Sequence, residues 1–309
     1  MRGTALATCL FAAAAAAVPT VAAQQAFRAG VDLVHLPVVV TDRRGVTVRG
    51  LEPSDFEVLE DGKPQKIAYF AEGAAGETVP LHLGLMLDRS ESMQADLKAA
   101  ADAAIKFVNA LDEAVDVTFV DFDTSINVGR FSPASYSRLF ERIRDQKTDG
   151  GGTSLFDAIS RYVGSAADRD GQHVLLLYTD GGDSTSTTTY SKMQDLLRLG
   201  NVLIYAVGYL ENQLSSQRVP QQMRLGQIAR ETGGDAHFPG SAKEIDTVYG
   251  KILAELQSRY TIGYVSSNTA AARSKFRKVD VRVTRSDLKG VKVRTRSGYL
   301  PPSAASPPR

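Results

Sequence analysis

Leu81-His-Leu-Gly-Leu-Met-Leu87 runs straight into Asp88-Arg-Ser-Glu-Ser92, and this junction decides the fold. A mostly apolar run of this length describes a strand buried on both faces, as in a parallel sheet covered by helices. The residues after it are polar, with Asp and Ser types favoured where a helix begins. Residues 93–110 then place Leu97, Ala101, Ile105, Phe107 and Val108 near helical spacing.

The same rhythm continues downstream. Val115 to Phe122 reads as a strand and 134–145 as a helix. Ser154 to Ala167 is helical, with Ser154 and Asp157 in capping-box positions, Asp standing in for the usual Glu or Gln. Val174 to Tyr178 and Val202 to Val207 are buried strands around a helix at 190–199, and helical stretches at 220–232 and 241–257 bracket Ala236-His-Phe238. Alternation of this kind over residues 80–257 predicts a doubly wound α/β domain with a mostly parallel sheet.

The flanks are different. Val31 to Thr41 is β-rich, Phe56 to Leu59 leads into an Asp61-Gly62 hairpin signal, and Lys66 to Phe70 is expected as the return strand. After Arg259, strands are expected at Tyr260–Val265, Phe276–Thr284 and Val291–Arg296. The β-rich segments 24–75 and 258–300 are each too small to fold alone. Together they predict a small β-sandwich with the α/β domain inserted; two separate β appendages are the alternative. The Pro-rich tail, residues 301–309, is expected to be disordered.

The N-terminus reads as an address. Arg2, the apolar stretch Ala5–Val18 and the small residues Val21-Ala22-Ala23 form the pattern of a signal peptide over residues 1–23, either cleaved or kept as an anchor. That predicts an exported, periplasmic or secreted protein with no membrane span in its mature part. Cys9, the only cysteine, lies in this segment, so disulfide frameworks and thiolate chemistry drop out. With 36 Lys and Arg against 35 Asp and Glu, net charge gives no case for nucleic acid as a partner. The basic residues crowded near the C-terminus alternate with apolar ones, as on the solvated face of strands.

Three segments bring oxygen-bearing side chains to strand ends: Asp88-Arg-Ser-Glu-Ser92, Thr148-Asp-Gly-Gly-Gly-Thr153 and Thr179-Asp-Gly-Gly-Asp183. In an open α/β sheet, ligands gather at the carboxyl ends of strands near the point where strand order reverses. Carboxylates and hydroxyls without sulfur or imidazole suit a hard cation, Mg²⁺ first, with Mn²⁺ or Ca²⁺ as alternatives. Each segment also has a plainer reading. Asp-x-Ser-x-Ser serves as an N-cap, Asp-Gly as a turn, and Gly-Gly-Gly-Thr as a loop without the Gly-Lys-Ser/Thr ending of a phosphate-binding loop. Their joint order favours a metal site.

At these residues the chain resembles the von Willebrand factor type A family, whose metal-ion-dependent adhesion site has Asp-x-Ser-x-Ser, a Thr in a Gly-rich loop, and an Asp after a later strand. Asp88, Ser90, Ser92, Thr153 and Asp180 match all five positions. The resemblance implies that Ser90, Ser92 and Thr153 bind the ion directly, that Asp88 or Asp180 acts through water, and that a partner's carboxylate completes the site. Arg89 departs from the pattern by placing a cation beside the site, which either weakens the metal or attracts an acidic partner. Val38–Gly45, Asp55–Gln65, Tyr260–Tyr264 and Arg296–Tyr299 also look like a group of exported bacterial proteins related to this family.

The function expected from the resemblance is adhesion-type, metal-dependent binding of a protein or surface ligand. A subunit or assembly role in an envelope complex is the alternative. A metal-assisted hydrolase is disfavoured, because no paired aspartates of the haloacid-dehalogenase kind and no Ser-His-Asp set are visible. Asp121 and Asp123 are expected in a turn or cap, the four histidines in structural roles, and Tyr178 and Tyr205 in the core.

Overall fold

The computed structural model describes residues 33–73, 80–148, 151–211, 213–268 and 276–301. The chain opens with β1 (Leu33–Thr41), β2 (Phe56–Glu60), β3 (Lys63–Gln65) and β4 (Ile67–Glu72). The α/β part follows: β5 (Leu81–Asp88), α1 (Leu97–Ala110), β6 (Ala114–Phe122), β7 (Ile126–Phe131), α2 (Tyr136–Arg144) and α3 (Leu155–Ala167). It continues through β8 (Gln172–Tyr178), α4 (Tyr190–Leu199), β9 (Val202–Val207), α5 (Ser215–Thr232), β10 (Ala236–His237) and α6 (Ala242–Ser258). Last come β11 (Tyr260–Val265), β12 (Arg277–Val283), β13 (Lys292–Arg294) and β14 (Gly298–Tyr299). The expected signal segment and most of the expected tail lie outside the described residues.

The central sheet has the order β10-β9-β8-β5-β6-β7, parallel except for β7. The two-residue period of β5 explains its two-sided burial. Leu81, Leu83, Leu85 and Leu87 pack with α1 and α6 on one face, while Met86 joins α3, α4 and α5 on the other. Each such leucine contributes about 1.5–3 kcal/mol by leaving water. Gly84 permits a close approach: a Cβ there would stand 2.4 Å from the Tyr162 ring of α3. Tyr178 and Tyr205 are fully buried, as expected of core residues.

Strand β5 lies between β6 and β8, so the chain leaves it first toward one side of the sheet and later returns on the other. Its carboxyl end is therefore the switch point of the sheet. Asp88 occupies it.

The flanks form two four-stranded sheets, β13-β1-β11-β4 and β14-β12-β2-β3, each mixing strands from before and after the α/β part. Leu36, Val38, Tyr260 and Ile262 of one share a buried cluster with Phe56, Val58, Val279 and Val281 of the other, which makes a small β-sandwich. Glu60 pins it together. This fully buried carboxylate accepts hydrogen bonds from Tyr264 (2.8 Å), Ser266 (2.6 Å) and Tyr299 (2.7 Å), with Arg277 at 3.3 Å.

Several local expectations are corrected. The Asp61-Gly62 turn forms, both residues having positive φ (50° and 78°), but its return strand is β3. The return strand was expected at Lys66–Phe70; the strand found there, β4, crosses to the other sheet and pairs with β11. The helix expected at 93–110 starts at Leu97, because a turn hooked onto Asp88 and a single 3₁₀ turn at Glu91–Met93 take up the residues before it. The helix expected at 220–232 starts earlier, at Ser215, and includes Pro220 at the loss of one backbone bond. Strand β7 was not anticipated; it is a half-exposed edge strand with Gly129 and Arg130 in its interior.

Candidate metal centre

Asp88 is fully buried at the end of β5. Its Oδ1 accepts the N–H of Ser90 at 2.9 Å, bending the chain sharply, and its Oδ2 accepts the Thr179 hydroxyl at 2.5 Å from the end of β8. Asp88 therefore fastens two loops to one another. Burial pushes its carboxyl up to about 7, against hydrogen bonds from Ser90 and Thr179 that favour the ionised form.

The turn brings the two serines together, with Ser90 Oγ 3.2 Å from Ser92 Oγ. Ser92 Oγ donates to Asp180 Oδ2 at 2.7 Å, while Asp180 Oδ1 accepts the N–H of Gly182 at 2.7 Å. A continuous chain of contacts thus links Asp88, Ser90, Ser92 and Asp180.

Thr153 arrives from the glycine-rich loop. Its N–H donates to Ser184 Oγ at 2.9 Å, and its carbonyl accepts from the N–H groups of Ser184 (2.9 Å) and Thr185 (3.1 Å). A Cβ on Gly152 would stand 2.5 Å from Thr185 Cγ2 and 2.6 Å from Ser184 Oγ, so only glycine allows this clamp. With its backbone so held, Thr153 lines one cleft together with Ser92 and Asp180.

The expected Ser154–Asp157 capping box does not form. Ser154 Oγ pairs with Thr185 Oγ1 at 2.8 Å, and Asp157 accepts the N–H groups of Thr187 and Thr188, both at 2.8 Å. The orphan donors of α3 are met from the neighbouring loop: Phe156 N–H by Asp183 at 3.0 Å, Asp157 N–H by Ser186 at 3.1 Å. Capping by a distant loop locks the glycine-rich segment against the Thr179–Asp183 segment.

Arg89 is the main correction at the site. Its guanidinium turns into the protein, with Nε 3.2 Å from Asp121 and Nη2 2.9 Å from Asp123. Asp121 also pairs with Arg142 at 2.6 Å, and Asp123 accepts the N–H of Ser125 at 2.6 Å. Asp121 and Asp123 thus hold Arg89, and among the described residues no Lys, Arg or His pairs with Asp88 or Asp180. Two neighbouring carboxylates without a protein cation, beside three hydroxyls, fit a hard divalent ion. Among the described residues no three His, Cys, Asp or Glu side chains gather as a metal cluster, so any ion here depends on the hydroxyls as well.

His82 and His173 lie at the opposite end of the sheet, stacked with ring centroids 4.9 Å apart, and His82 Nδ1 is 3.0 Å from Asp116. Burial holds His173 below the usual histidine value. Both are structural.

Residues not anticipated also reach the centre. Thr179 is one, visible in hindsight as a hydroxyl directly before Asp180. Gln213 is another: from the loop after β9 its Nε2 donates to Asp180 Oδ2 at 2.7 Å. Its signal was its place beyond the carboxyl end of the next parallel strand.

Comparison with known proteins yields one family. The model for the von Willebrand factor type A domain matches residues 83–182, a stretch that includes Asp88, Ser90, Ser92, Thr153 and Asp180. No curated protein matches the chain. Among solved structures, a von Willebrand factor type A protein from Catenulispora acidiphila is 11% identical with a TM-score of 0.47, covering 89% of this chain and 75% of that one. Manganese-loaded TRAP protein from Plasmodium vivax is 14% identical with a TM-score of 0.46, covering 75% and 98%. Proximal thread matrix protein 1 from the mussel byssus is 18% identical with a TM-score of 0.46, covering 60% of this chain. The present chain spans about half the length of the mussel protein (49%).

Proposed function

This chain carries a von Willebrand factor type A domain, and on that premise we propose that it is an exported binding module that recognises a protein partner through a divalent cation. Asp88, Ser90, Ser92, Thr153 and Asp180 would hold the ion, Mg²⁺ in the first instance. When bound, the ion supplies an electrophilic point that an acidic side chain of the partner can occupy. Asp88 ties the first and third loops together, Ser90 and Ser92 offer hydroxyls, and Thr153 offers a third from the opposite loop.

The observation that supports this reading most is the contact of Ser92 Oγ with Asp180 Oδ2 at 2.7 Å, where two segments far apart in sequence present a hydroxyl and a carboxylate at one spot. Domains of this family are generally interaction modules, and the cleft holds no histidine, lysine or cysteine among its lining residues. The export element of the reading rests on the signal-like pattern of residues 1–23. No described helix is long and apolar enough to cross a membrane.

A pull-down from envelope extract tests the proposal. The wild-type protein in Mg²⁺ should retain a partner that is lost on chelation and absent with Asp180→Ala. Retention that ignores both the chelator and the substitution would refute it.

A further inference from the structure

At the end of the sheet opposite Asp88, where the strands begin, the α/β part meets the sandwich around a cavity of about 30 Å³. Pro37 of β1 bounds it from the sandwich, His173 of β8 and Leu197 of α4 from the α/β part, and Asn201 stands exposed at its rim. Two arginines complete the lining, Arg259 and Arg296, which are 1% and 8% exposed. No Asp or Glu is among the described lining residues.

Arg296 lies between β13 and β14, and its hydrogen-bond partners are all backbone carbonyls. Nε donates to Gly298 at 2.9 Å, and Nη2 donates to Arg198 at 3.0 Å and Gly200 at 3.2 Å, around the carbonyl end of α4. That end of the helix dipole offsets part of the charge, as does the Tyr299 ring 5.8 Å from Cζ. Among the described residues no carboxylate pairs with Arg296. Its Nη1 makes no hydrogen bond there, yet protein does not seal it off. Burial lowers the guanidinium to about 10, so it is still charged at neutral pH.

The neighbours do not remove that charge. Arg259 adds a second guanidinium, whose Nη2 donates to the amide oxygen of Gln172. His173 adds nothing negative, and burial holds it below the usual histidine value and so neutral at pH 7. Buried charges in proteins are matched by opposite ones, and water in the cavity would solvate the guanidinium without neutralising it. At roughly 10–15 Å³ for each water-sized group, the space admits about two of them. A halide fits there, whereas a nucleotide or a sugar does not.

We propose that this cavity binds a small inorganic anion, chloride in the first instance, which accepts from Arg296 Nη1 and fastens the sandwich to the base of the α/β sheet. The site lies at the far end of the sheet from Asp88 and does not rest on the metal-binding reading.

The test follows thermal unfolding of the full chain in gluconate buffer with chelator, gluconate being too bulky for the cavity. Sodium chloride or sodium bromide is titrated in at constant ionic strength. The wild-type midpoint should rise and saturate with either halide, because a ligand that binds the folded chain alone stabilises it by mass action. Arg296→Gln should need about tenfold more halide for the same rise, having lost the charged donor. Arg282→Gln, on the exposed side of β12, should respond as wild type does. A wild-type crystal grown in bromide should show the anomalous signal of the ion beside Arg296 Nη1, which decides the matter even where Arg296→Gln fails to fold. A wild-type midpoint that does not respond or never saturates would overturn the proposal. So would an unchanged response in Arg296→Gln, an equal loss in Arg282→Gln, or bromide absent from the cavity.

Discussion

Ser92 Oγ and Asp180 Oδ2 lie 2.7 Å apart across 88 residues of sequence. The two loops meet because β5 and β8 are neighbouring parallel strands that end together, and because Asp88 and Thr179, one residue from each strand end, are bonded beneath them. The upper contact is the proposed metal site. The lower one is its foundation.

Thr179→Val removes that foundation without replacing a proposed ligand. It deprives Asp88 Oδ2 and the N–H of Gly181 of their partner, the latter bonded at 3.0 Å. Leaving buried groups unpaired costs about 1–3 kcal/mol, and loss of a supporting partner lowers metal affinity roughly 10–100-fold. Urea denaturation and Mg²⁺ titration of the variant check both.

Gly152→Ala drives a methyl group into Thr185 and Ser184, the residues that clamp Thr153. Overpacking of this kind costs about 1–3 kcal/mol. Mg²⁺ affinity should fall together with stability. Gly45→Ala has open space around its Cβ but a φ of 80° and lies in the sandwich segment, so it should lower stability alone.

Arg89→Leu separates structure from metal tuning. The guanidinium is spent on Asp121 and Asp123, so its loss leaves buried carboxylates short of a partner, at a cost on the order of 3 kcal/mol. In the folded fraction, Mg²⁺ affinity should change less than about threefold, which is under 0.7 kcal/mol. Calorimetry below the unfolding temperature decides between this and a direct effect of the cation on the site.

Glu60 should make the sandwich sensitive to acid. Burial raises its carboxyl, but hydrogen bonds from Ser266, Tyr299, Tyr264 and Asn268 together outweigh that and leave it below the ordinary glutamate value. A carboxyl lowered in the folded state adds stability that is fully present above its unfolded value, near 4.5, and is lost as pH falls through its folded value. Stability curves from pH 7 down to 3 should fall more steeply for wild type than for Glu60→Gln below about pH 4.5. Parallel curves would assign the acid sensitivity to other groups.

Much of this was legible in the sequence for physical reasons. Strand β5 announced itself because a strand buried on both faces must be apolar throughout, and Asp88, Ser90 and Ser92 because one short turn carries all three. What escaped depends on contacts distant in sequence. Ser154 and Asp157 have the spacing of an α3 cap, yet Asp183 and Ser186 supply it from another loop. In the sequence Arg89 stands as a cation beside the site, because Asp121 and Asp123, which hold it, come from β6 and the turn beyond. Strand β7 stayed hidden because an edge strand with one neighbour need not be apolar.

Isothermal calorimetry of the purified protein with Mg²⁺ and Mn²⁺ decides whether Asp88, Ser90, Ser92, Thr153 and Asp180 hold a divalent ion. Wild type should show one saturable site per chain, abolished in Asp88→Ala and in Asp180→Ala while both variants remain folded. Wild type that takes up no more metal than those variants would contradict it.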